Sequence, residues 1–211
     1  MKAVIYHADA HVVWGDSPPD LYEVIIKWFR EQLHKFDIEL IHLSTEEHPE
    51  WGDINYHFQG DPKEPMYNRE VFFTRFLRDY AKNGWYWFTE PDMIIHKMFP
   101  MPNADAMLLL RDEDSVKLSP CFRLAKRSAL PLFEEVLSCY DLEKKDWHGD
   151  SAAFIEVYKR MGKPSLGMTR IKDVSVELRS HRDYIHQSGG KYMSHHKAAN
   201  KISLYKSIKQ C

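Results

Sequence analysis

The chain has few cysteines, no long hydrophobic run and no large excess of charge of either sign, and each shortage argues against a class of protein. The three cysteines, Cys121, Cys139 and Cys211, are odd in number and widely spaced, which argues against a disulfide framework and a structural zinc site. No stretch approaches the roughly 18 apolar residues that a membrane span requires, and no signal peptide precedes the first apolar residues. We therefore expect a cytoplasmic protein with reduced thiols.

The composition is that of an ordered globular protein. Hydrophobic residues make up 44% of the 211 residues and charged residues 28%, so one domain can bury a sizeable core. The net charge of -2 is unevenly spread, because the stretch from Lys159 to Cys211 holds twelve Lys or Arg against three acids. A nucleoside diphosphate, a polyanionic acceptor and a solvated face would each account for this basic end, and the last is the commonest origin of such charge.

The first 43 residues predict a strand, a helix and a second strand. Residues 2–7 are apolar enough for a buried strand, Asp20 is placed as the N-cap of an amphipathic helix, and residues 38–43 return as a strand. Such a unit has a right-handed crossover between parallel strands. The sequence therefore predicts an α/β fold with a mixed, mainly parallel central sheet flanked by helices.

Helices and strands continue to alternate after this unit. Residues 44–65 are predicted as a long excursion with little regular structure, and an aromatic-faced helix ending at Asn83-Gly84 follows. Later we predict strands at 104–110 and 120–124, a helix capped by Ser128 that runs to Leu142, and a short helix ended by Gly162. The remainder is predicted to hold at most two short strands and a polar, basic tail.

The strand Trp85-Tyr86-Trp87-Phe88-Thr89 breaks abruptly into Glu90-Pro91-Asp92. In open α/β sheets ligands bind outside the carboxyl ends of the strands, where two carboxylates would meet a cation and a phosphorylated ligand. A solvated acidic turn is the commoner origin of such a pattern. Two further polar groups come from distant segments: Asp150 at the start of a helix, and the pair His195 and His196 near the C-terminus.

In order and spacing, three segments resemble motifs of the GT-A class of nucleotide-sugar glycosyltransferases, whose domain is Rossmann-like. Glu90-Pro91-Asp92 is similar to the family's acidic metal motif, Asp-any-Asp, and Trp147-His148-Gly149-Asp150 to its Trp-any-Gly-Asp-Gln. The run from His196 to Lys201 is similar to the family's late His, small residue, Lys ending. Glutamate replaces the first aspartate and Ser151 the glutamine, which keeps open an inactive nucleotide-binding or nucleic-acid-binding module of the same fold.

The resemblance implies a single glycosyltransferase domain over residues 1–211, with a basic segment at 186–211 that closes over the site. It implies a metal ion, Mn²⁺ or Mg²⁺, and an imidazole ligand favours Mn²⁺. The implied metal ligands are Glu90, Asp92 and His196, with His195 as the alternative histidine. The donor is a nucleoside diphosphate sugar, with UDP expected first, and its implied contacts are Tyr6, His7, Asp9, Arg69, His195 and Lys201.

The resemblance also implies an acceptor side. Asp150 would be the catalytic base that deprotonates a hydroxyl acceptor, although an aspartate at this place also suits an N-cap. Trp147 and His148 are the implied acceptor contacts.

Two acceptors are compatible with the sequence. Phage enzymes that glycosylate hydroxymethylated pyrimidines in DNA have this compact size, and the basic end suits DNA, so modified DNA in a host cytoplasm is the first expectation. A saccharide, free or lipid-linked, is the other. A metal-dependent nuclease or phosphatase would share the carboxylates but needs acids for two metals, and this motif offers enough for one.

Overall fold

The computed structural model describes residues 1–7, 17–61, 64–111, 117–141, 143, 149–186, 191–196 and 199–210. Its strands are β1 (Lys2–His7), β2 (Glu39–Ser44), β3 (Ile54–His57), β4 (Tyr86–Thr89), β5 (Met93–Ile95), β6 (Ala106–Leu110), β7 (Leu118–Ala125), β8 (Gly167–Ile171), β9 (Val174–Ser180), β10 (Ile185–His186) and β11 (Met193–His195). Its α-helices are α1 (Leu21–His34), α2 (Pro65–Asp79), α3 (Leu130–Ser138), α4 (Gly149–Arg160), α5 (His181–Tyr184) and α6 (Ala199–Gln210).

Eight strands form one mixed sheet in the order β3-β2-β1-β4-β7-β6-β9-β8. The strands β3, β2, β1 and β4 are parallel to one another, and β6 is parallel to β9. Among the described strands of this sheet, β7 and β8 run in the opposite direction to the other six. This arrangement confirms the predicted mixed, mainly parallel α/β sheet, and β1, β2 and β4 all end at one side, here called the carboxyl edge.

The sheet carries a hydrophobic core on each face because side chains of a strand alternate in direction. Along β1, Val4 and Tyr6 pack with α2, α3 and α4, whereas Ala3 and Ile5 pack with α1. Every one of these four side chains is at least nine-tenths buried. The fold is thus a three-layer α/β domain, and none of its described helices combines the length and apolar composition needed to span a membrane.

A second, three-stranded sheet brings the C-terminal region to the carboxyl edge. Strand β5 pairs antiparallel with β11, with Met93 opposite His195, and β11 pairs with β10. The His196 N–H also donates to the Asp92 carbonyl oxygen at 3.0 Å. Residues about a hundred positions apart in the chain therefore become neighbours beside the end of β4.

Two predicted helix caps use their side chains elsewhere. Asp20 lies at the N-cap of α1 but makes no capping bond; its carboxylate instead accepts from Tyr205 Oη at 2.7 Å and pairs with Lys209 Nζ at 2.9 Å. The predicted Ser128 cap is wrong, because the hydroxyl donates to Asp105 and Ala129 is the N-cap of α3. In both cases a tertiary partner competes successfully with the helix terminus.

One further prediction is wrong. The C-terminal region holds four strands and the helices α5 and α6 where at most two strands and a tail were predicted, whereas the described residues of the excursion at 44–65 hold only the four-residue strand β3 before α2 begins. Strands β10 and β11 have two and three residues, which is too short for a periodic pattern to reveal. The contacts of α6 with Asp20 show that this helix depends on α1 for its packing.

A buried ion pair lies beneath the carboxyl edge between α2 and β7. Both Arg123 terminal nitrogens donate to Glu70, at 2.6 and 2.9 Å, and each side chain is 1% exposed. The guanidinium carbon lies 5.1 Å from each of three aromatic ring centroids, those of Phe73, Phe133 and Phe154. This environment excludes water, so the two charges depend on each other.

Replacing Arg123 by Met should lower the free energy of unfolding by about 3–5 kcal/mol, because it leaves the Glu70 carboxylate buried beside fewer cations. The matched control is Arg78→Met, which removes an ion pair with Glu134 whose partners are 54% and 43% exposed. That control should cost less than about 1 kcal/mol. Urea unfolding midpoints of the two variants test the difference, and equal losses would contradict it.

Candidate active site

The site begins at the turn that ends β4. Pro91 has no N–H to donate and restricts Glu90 to extended backbone, so the strand cannot continue as a ladder. Pro91 and Asp92 form a turn, and the chain re-enters a strand at Met93. The carboxylates of Glu90 and Asp92 are thereby placed at the carboxyl edge, beside the position where β11 pairs with β5.

The imidazole of His195 lies between these two carboxylates. Its Nε2 is 2.8 Å from Glu90 Oε2 and 3.3 Å from Asp92 Oδ1. One ligand atom from each of the three side chains lies within 4.8 Å of the others, and no other such group of three His, Cys, Asp or Glu occurs among the described residues. Asp92 and His195 are almost fully buried, and Glu90 is 30% exposed.

This donor set fits a divalent cation. Within the described part of the chain, both Asp92 oxygens and His195 Nε2 are buried without a hydrogen bond of good geometry, although they lie at ion-pair distances. Carboxylate oxygens suit Mg²⁺ and Mn²⁺, and an added imidazole suits Mn²⁺ better. A cation between these atoms would satisfy polar groups that the protein leaves poorly bonded.

The electrostatics of the group favour positive charge. Burial lowers the pKa of His195, but the neighbouring Asp92 and Glu90 carboxylates outweigh burial and raise that pKa well above its usual value. Burial raises the pKa of Asp92, yet Lys201 and His195 hold it below its usual value. Because a metal ligand must be deprotonated, an ion entering here would replace the imidazole proton.

Lys201 supplies a second cation to the same group. Its Nζ lies 3.2 Å from Asp92 Oδ2, and its side chain is 18% exposed. Burial lowers the pKa of Lys201, but Asp92, Tyr22 and Glu90 together raise it above its usual value. Lys201 was expected at the donor, and the structure places its ammonium directly against the predicted metal ligand.

Arg69 is held by three carboxylates. Its Nε donates to Glu70 at 3.1 Å, Nη1 to Glu90 at 3.2 Å, and Nη2 to Asp150 at 2.7 Å. The side chain is 4% exposed. The Arg69 guanidinium thus connects a predicted metal ligand, Glu90, with the predicted catalytic base, Asp150. On its other side it bonds Glu70, which is itself paired with Arg123.

Asp150 lies in the first turn of α4 and is 5% exposed. Its Oδ2 accepts from Arg69, and its Oδ1 accepts from the Ser151 N–H at 2.5 Å and the Ser151 hydroxyl at 3.2 Å. These bonds fix the carboxylate close to the turn that bears Glu90. The predicted acceptor contacts Trp147 and His148 lie outside the described residues.

The predicted donor side lies at the end of β1. The Tyr6 ring is 8% exposed and packs edge to face on Phe72, with 5.3 Å between the centroids. The His7 ring lies 5.1 Å from Trp51, which stacks on His48 at 3.7 Å. These rings form an aromatic cluster at the ends of β1 and β2, while Asp9 lies outside the described residues.

The two C-terminal histidines meet the acidic turn differently. His195 reaches the carboxylates with its imidazole, whereas His196 contacts Asp92 through its backbone N–H. The His196 side chain is half-buried, and burial lowers its pKa. The geometry therefore groups His195, and not His196, with Glu90 and Asp92.

Several residues at the site escaped the sequence analysis. Glu70 lies on an aromatic helix face and Arg123 within an apolar strand, and a charge in such a pattern signals a buried partner.

Cys121 lies behind the metal-ligand group: burial raises the pKa of its thiol, but hydrogen bonds with His181 and His195 lower it to about 5. His48 and Trp51 were also missed; they lie in the segment after β2, and the closeness of these two rings in the sequence was the signal that could have indicated an aromatic cluster there.

No protein-family model matches the chain, and no curated protein matches its sequence. Solved structures do match its fold. A glycosyltransferase involved in the glycosylation of the major capsid of PBCV-1 aligns over 97% of this chain and 98% of its own, with a TM-score of 0.62 and 10% identity.

Two other structures extend this comparison. The glycosyltransferase GlyE of Streptococcus pneumoniae TIGR4 aligns over 100% of this chain and 60% of its own, with a TM-score of 0.63 and 10% identity. The inositol-1-phosphate CTP transferase from T. maritima aligns over 99% and 96%, with a TM-score of 0.55 and 10% identity. At such identity the likeness establishes the fold, and the protein is a single α/β domain of the GT-A-like type predicted from its sequence motifs.

Proposed function

We propose that this protein transfers a sugar from a nucleoside diphosphate, with UDP expected first, to a hydroxyl acceptor in a metal-dependent reaction. The observation that carries the proposal is the meeting of Glu90, Asp92 and His195 at the carboxyl edge of a GT-A-like sheet. Ligands of open α/β sheets bind at this edge. Two proteins of the same fold are glycosyltransferases.

The proposed metal ligands are Glu90, Asp92 and His195, with His195 preferred to His196 because its imidazole lies 2.8 Å from Glu90. When bound there, Mn²⁺ or Mg²⁺ supplies Lewis-acid neutralisation of the leaving diphosphate. Lys201, at the same group, offers a positive charge to the diphosphate as negative charge develops on it. The basic segment 186–211 would then close over the donor through β11 and α6.

Asp150 is the proposed base that accepts the proton of the acceptor hydroxyl during attack with inversion. The charge-assisted bond from Arg69 holds its carboxylate in one orientation at a fixed place relative to Glu90. Arg69 is thereby proposed to act on the donor side only indirectly, through the carboxylates it bonds. The proton is assigned to Asp150 Oδ2, which accepts from Arg69 Nη2 through one lone pair and would bind the proton through the other.

The nucleoside of the donor is assigned to the aromatic cluster of His7, His48 and Trp51. Aromatic rings offer a face on which a base can stack, and His48 and Trp51 are half-buried at the ends of β1 and β2. Tyr6 lies on the other face of the sheet, against Phe72, so it is not part of this cluster. This assignment leaves the Glu90–Asp92 turn for the diphosphate.

For the acceptor, a saccharide is favoured over a hydroxymethylated pyrimidine in DNA. The support is the glycosyltransferase of the same fold that is involved in the glycosylation of the major capsid of PBCV-1. Modified DNA remains compatible with the basic C-terminal region, and a base would have to leave the duplex at a cost of a few kcal/mol. Glycan arrays and hydroxymethylated DNA, offered side by side with one labelled donor, separate the two.

The metal site is tested by thermal shift. UDP together with Mn²⁺, at about 100 times the dissociation constant, should raise the melting temperature by about 5–10 °C, whereas either alone should raise it much less. Asp92→Asn should abolish most of that shift because it removes a metal ligand. The control is Asp53→Asn, whose carboxylate bonds the Leu40 N–H near the start of β2, away from the carboxyl edge.

The control variant should melt earlier than the wild type but keep the full ligand shift. No response of the wild type to any nucleoside diphosphate with Mn²⁺ would contradict the proposed function and favour an inactive module. A response to CTP in preference to UDP, with release of pyrophosphate, would place the protein with nucleotidyltransferases such as the T. maritima protein.

Asp150→Asn should lower turnover by about 10²-fold to 10⁴-fold, which is the usual contribution of a positioned base. Asparagine keeps the side-chain shape and can still accept from Arg69, so folding and the affinity for UDP with Mn²⁺ should change little. Single-turnover transfer and calorimetric UDP binding measure the two effects. Glu156→Gln, on the exposed face of the same helix, is the control and should keep wild-type turnover.

Near-normal turnover of Asp150→Asn would show that the carboxylate only anchors Arg69 and α4. Loss of UDP binding together with turnover would move Asp150 to the donor site, and another carboxylate would then have to serve as the base.

A further inference from the structure

We propose that Lys201 is an internal cation that holds the Asp92 carboxylate until a nucleoside diphosphate attracts it, so that the divalent ion and the nucleotide bind cooperatively. This inference rests on the proposed function and adds to it an order of events at the same site. It concerns the affinity for the metal, which can be measured without any transfer reaction.

The contacts around Asp92 are the first support. Its Oδ1 lies 3.3 Å from His195 Nε2 and its Oδ2 lies 3.2 Å from Lys201 Nζ, and the side chain is 1% exposed. Both oxygens therefore face a positive or hydrogen-bearing nitrogen of the protein. A divalent ion binds a carboxylate oxygen at about 2.0–2.2 Å, so an ion on Oδ2 would meet the ammonium directly, and an ion on Oδ1 would bind a carboxylate whose charge the ammonium already partly neutralises.

The charge of the whole group is the second support. The four carboxylates of this group face three fixed cations, so the group carries one net negative charge once the imidazole is neutral; the carboxylates are those of Glu70, Glu90, Asp92 and Asp150, and the cations are Arg69, Arg123 and Lys201. Adding a doubly charged ion to this group leaves an excess of positive charge. The phosphates of a nucleotide bring the negative charge that compensates this excess, which makes each ligand favour the other.

The way Lys201 is anchored is the third support. It lies in the first turn of α6, and that helix is docked on α1 through the bonds of Tyr205 and Lys209 with Asp20. The backbone of Lys201 is thus held in place, while its Nζ lies 5.5 Å from the Tyr22 ring centroid. A lysine ammonium on a flexible four-carbon chain can move from a carboxylate to a nearby phosphate without displacing the helix.

A purely structural ion pair is the competing explanation. In that case Lys201 would contribute to stability, and its removal would leave the metal affinity unchanged or weaken it. An internal competitor predicts the opposite sign for the metal alone, because removing the ammonium frees Asp92 and removes its repulsion of the ion.

Lys201→Met tests the difference, because methionine keeps an apolar chain beside Tyr22 and removes the charge. Calorimetry should show the wild type binding Mn²⁺ about 5- to 150-fold more tightly with UDP present than without it, the usual range of coupling between sites. The variant should bind Mn²⁺ alone about tenfold more tightly than the wild type, and most of the coupling with UDP should be lost. Lys206→Met, on an exposed position of the same helix, should behave as the wild type.

Lys201→Gln is measured in parallel, and urea unfolding confirms that the variant used is folded. The inference is overturned if folded Lys201 variants bind Mn²⁺ alone no more tightly than the wild type while the wild type still binds UDP with Mn²⁺; the proposed function would then stand. If the wild type binds no nucleoside diphosphate with Mn²⁺, the proposed function and this inference fail together.

Discussion

Carboxylates withdrawn from water at the carboxyl edge need cationic partners, and this requirement organises the site. Isolated buried charges are costly, and breaking one pair exposes its partner to that cost. Here acidic and basic side chains alternate in one continuous series of contacts. The order is Arg123, Glu70, Arg69, Glu90, His195, Asp92 and Lys201, and Asp150 also bonds Arg69. Each side chain is held in place by a neighbour of opposite charge.

This chain of charges links parts of the molecule that have separate proposed tasks. Arg69 bonds both Glu90 and Asp150, so the distance between the proposed metal ligands and the proposed base is set by one rigid, planar guanidinium. At the other end, Lys201 ties α6 to the acidic turn. A change at Arg123 would therefore alter the charge at the proposed metal ligands without a direct contact, whereas a change at Lys201 would remove a direct contact of Asp92.

The fold alone does not choose among chemistries, because glycosyltransferases and a CTP transferase share it at 10% identity with this protein. A shared fold does not decide the reaction, so the function must be argued from the site. The features on which we base the proposal of sugar transfer are local: an imidazole among the proposed metal ligands and a carboxylate fixed at a helix start nearby. The thiol of Cys121, which contacts His195 from behind, completes the surroundings of the ligands.

The sequence by itself determined the α/β class, the mainly parallel sheet and the place of Glu90 and Asp92 after a buried strand. These features depend on apolar periodicity and on a strand-ending proline, both of which act within a few residues. The sequence could not choose between His195 and His196, find the partners of Arg69 and Arg123, or foresee that Asp20 and Ser128 bond away from their helices. Those outcomes depend on contacts between residues tens to hundreds of positions apart. Only the tertiary structure decided them, since the three-residue pairing of β5 with β11 sets which imidazole faces the carboxylates, and a slip of one residue would turn the other one inward.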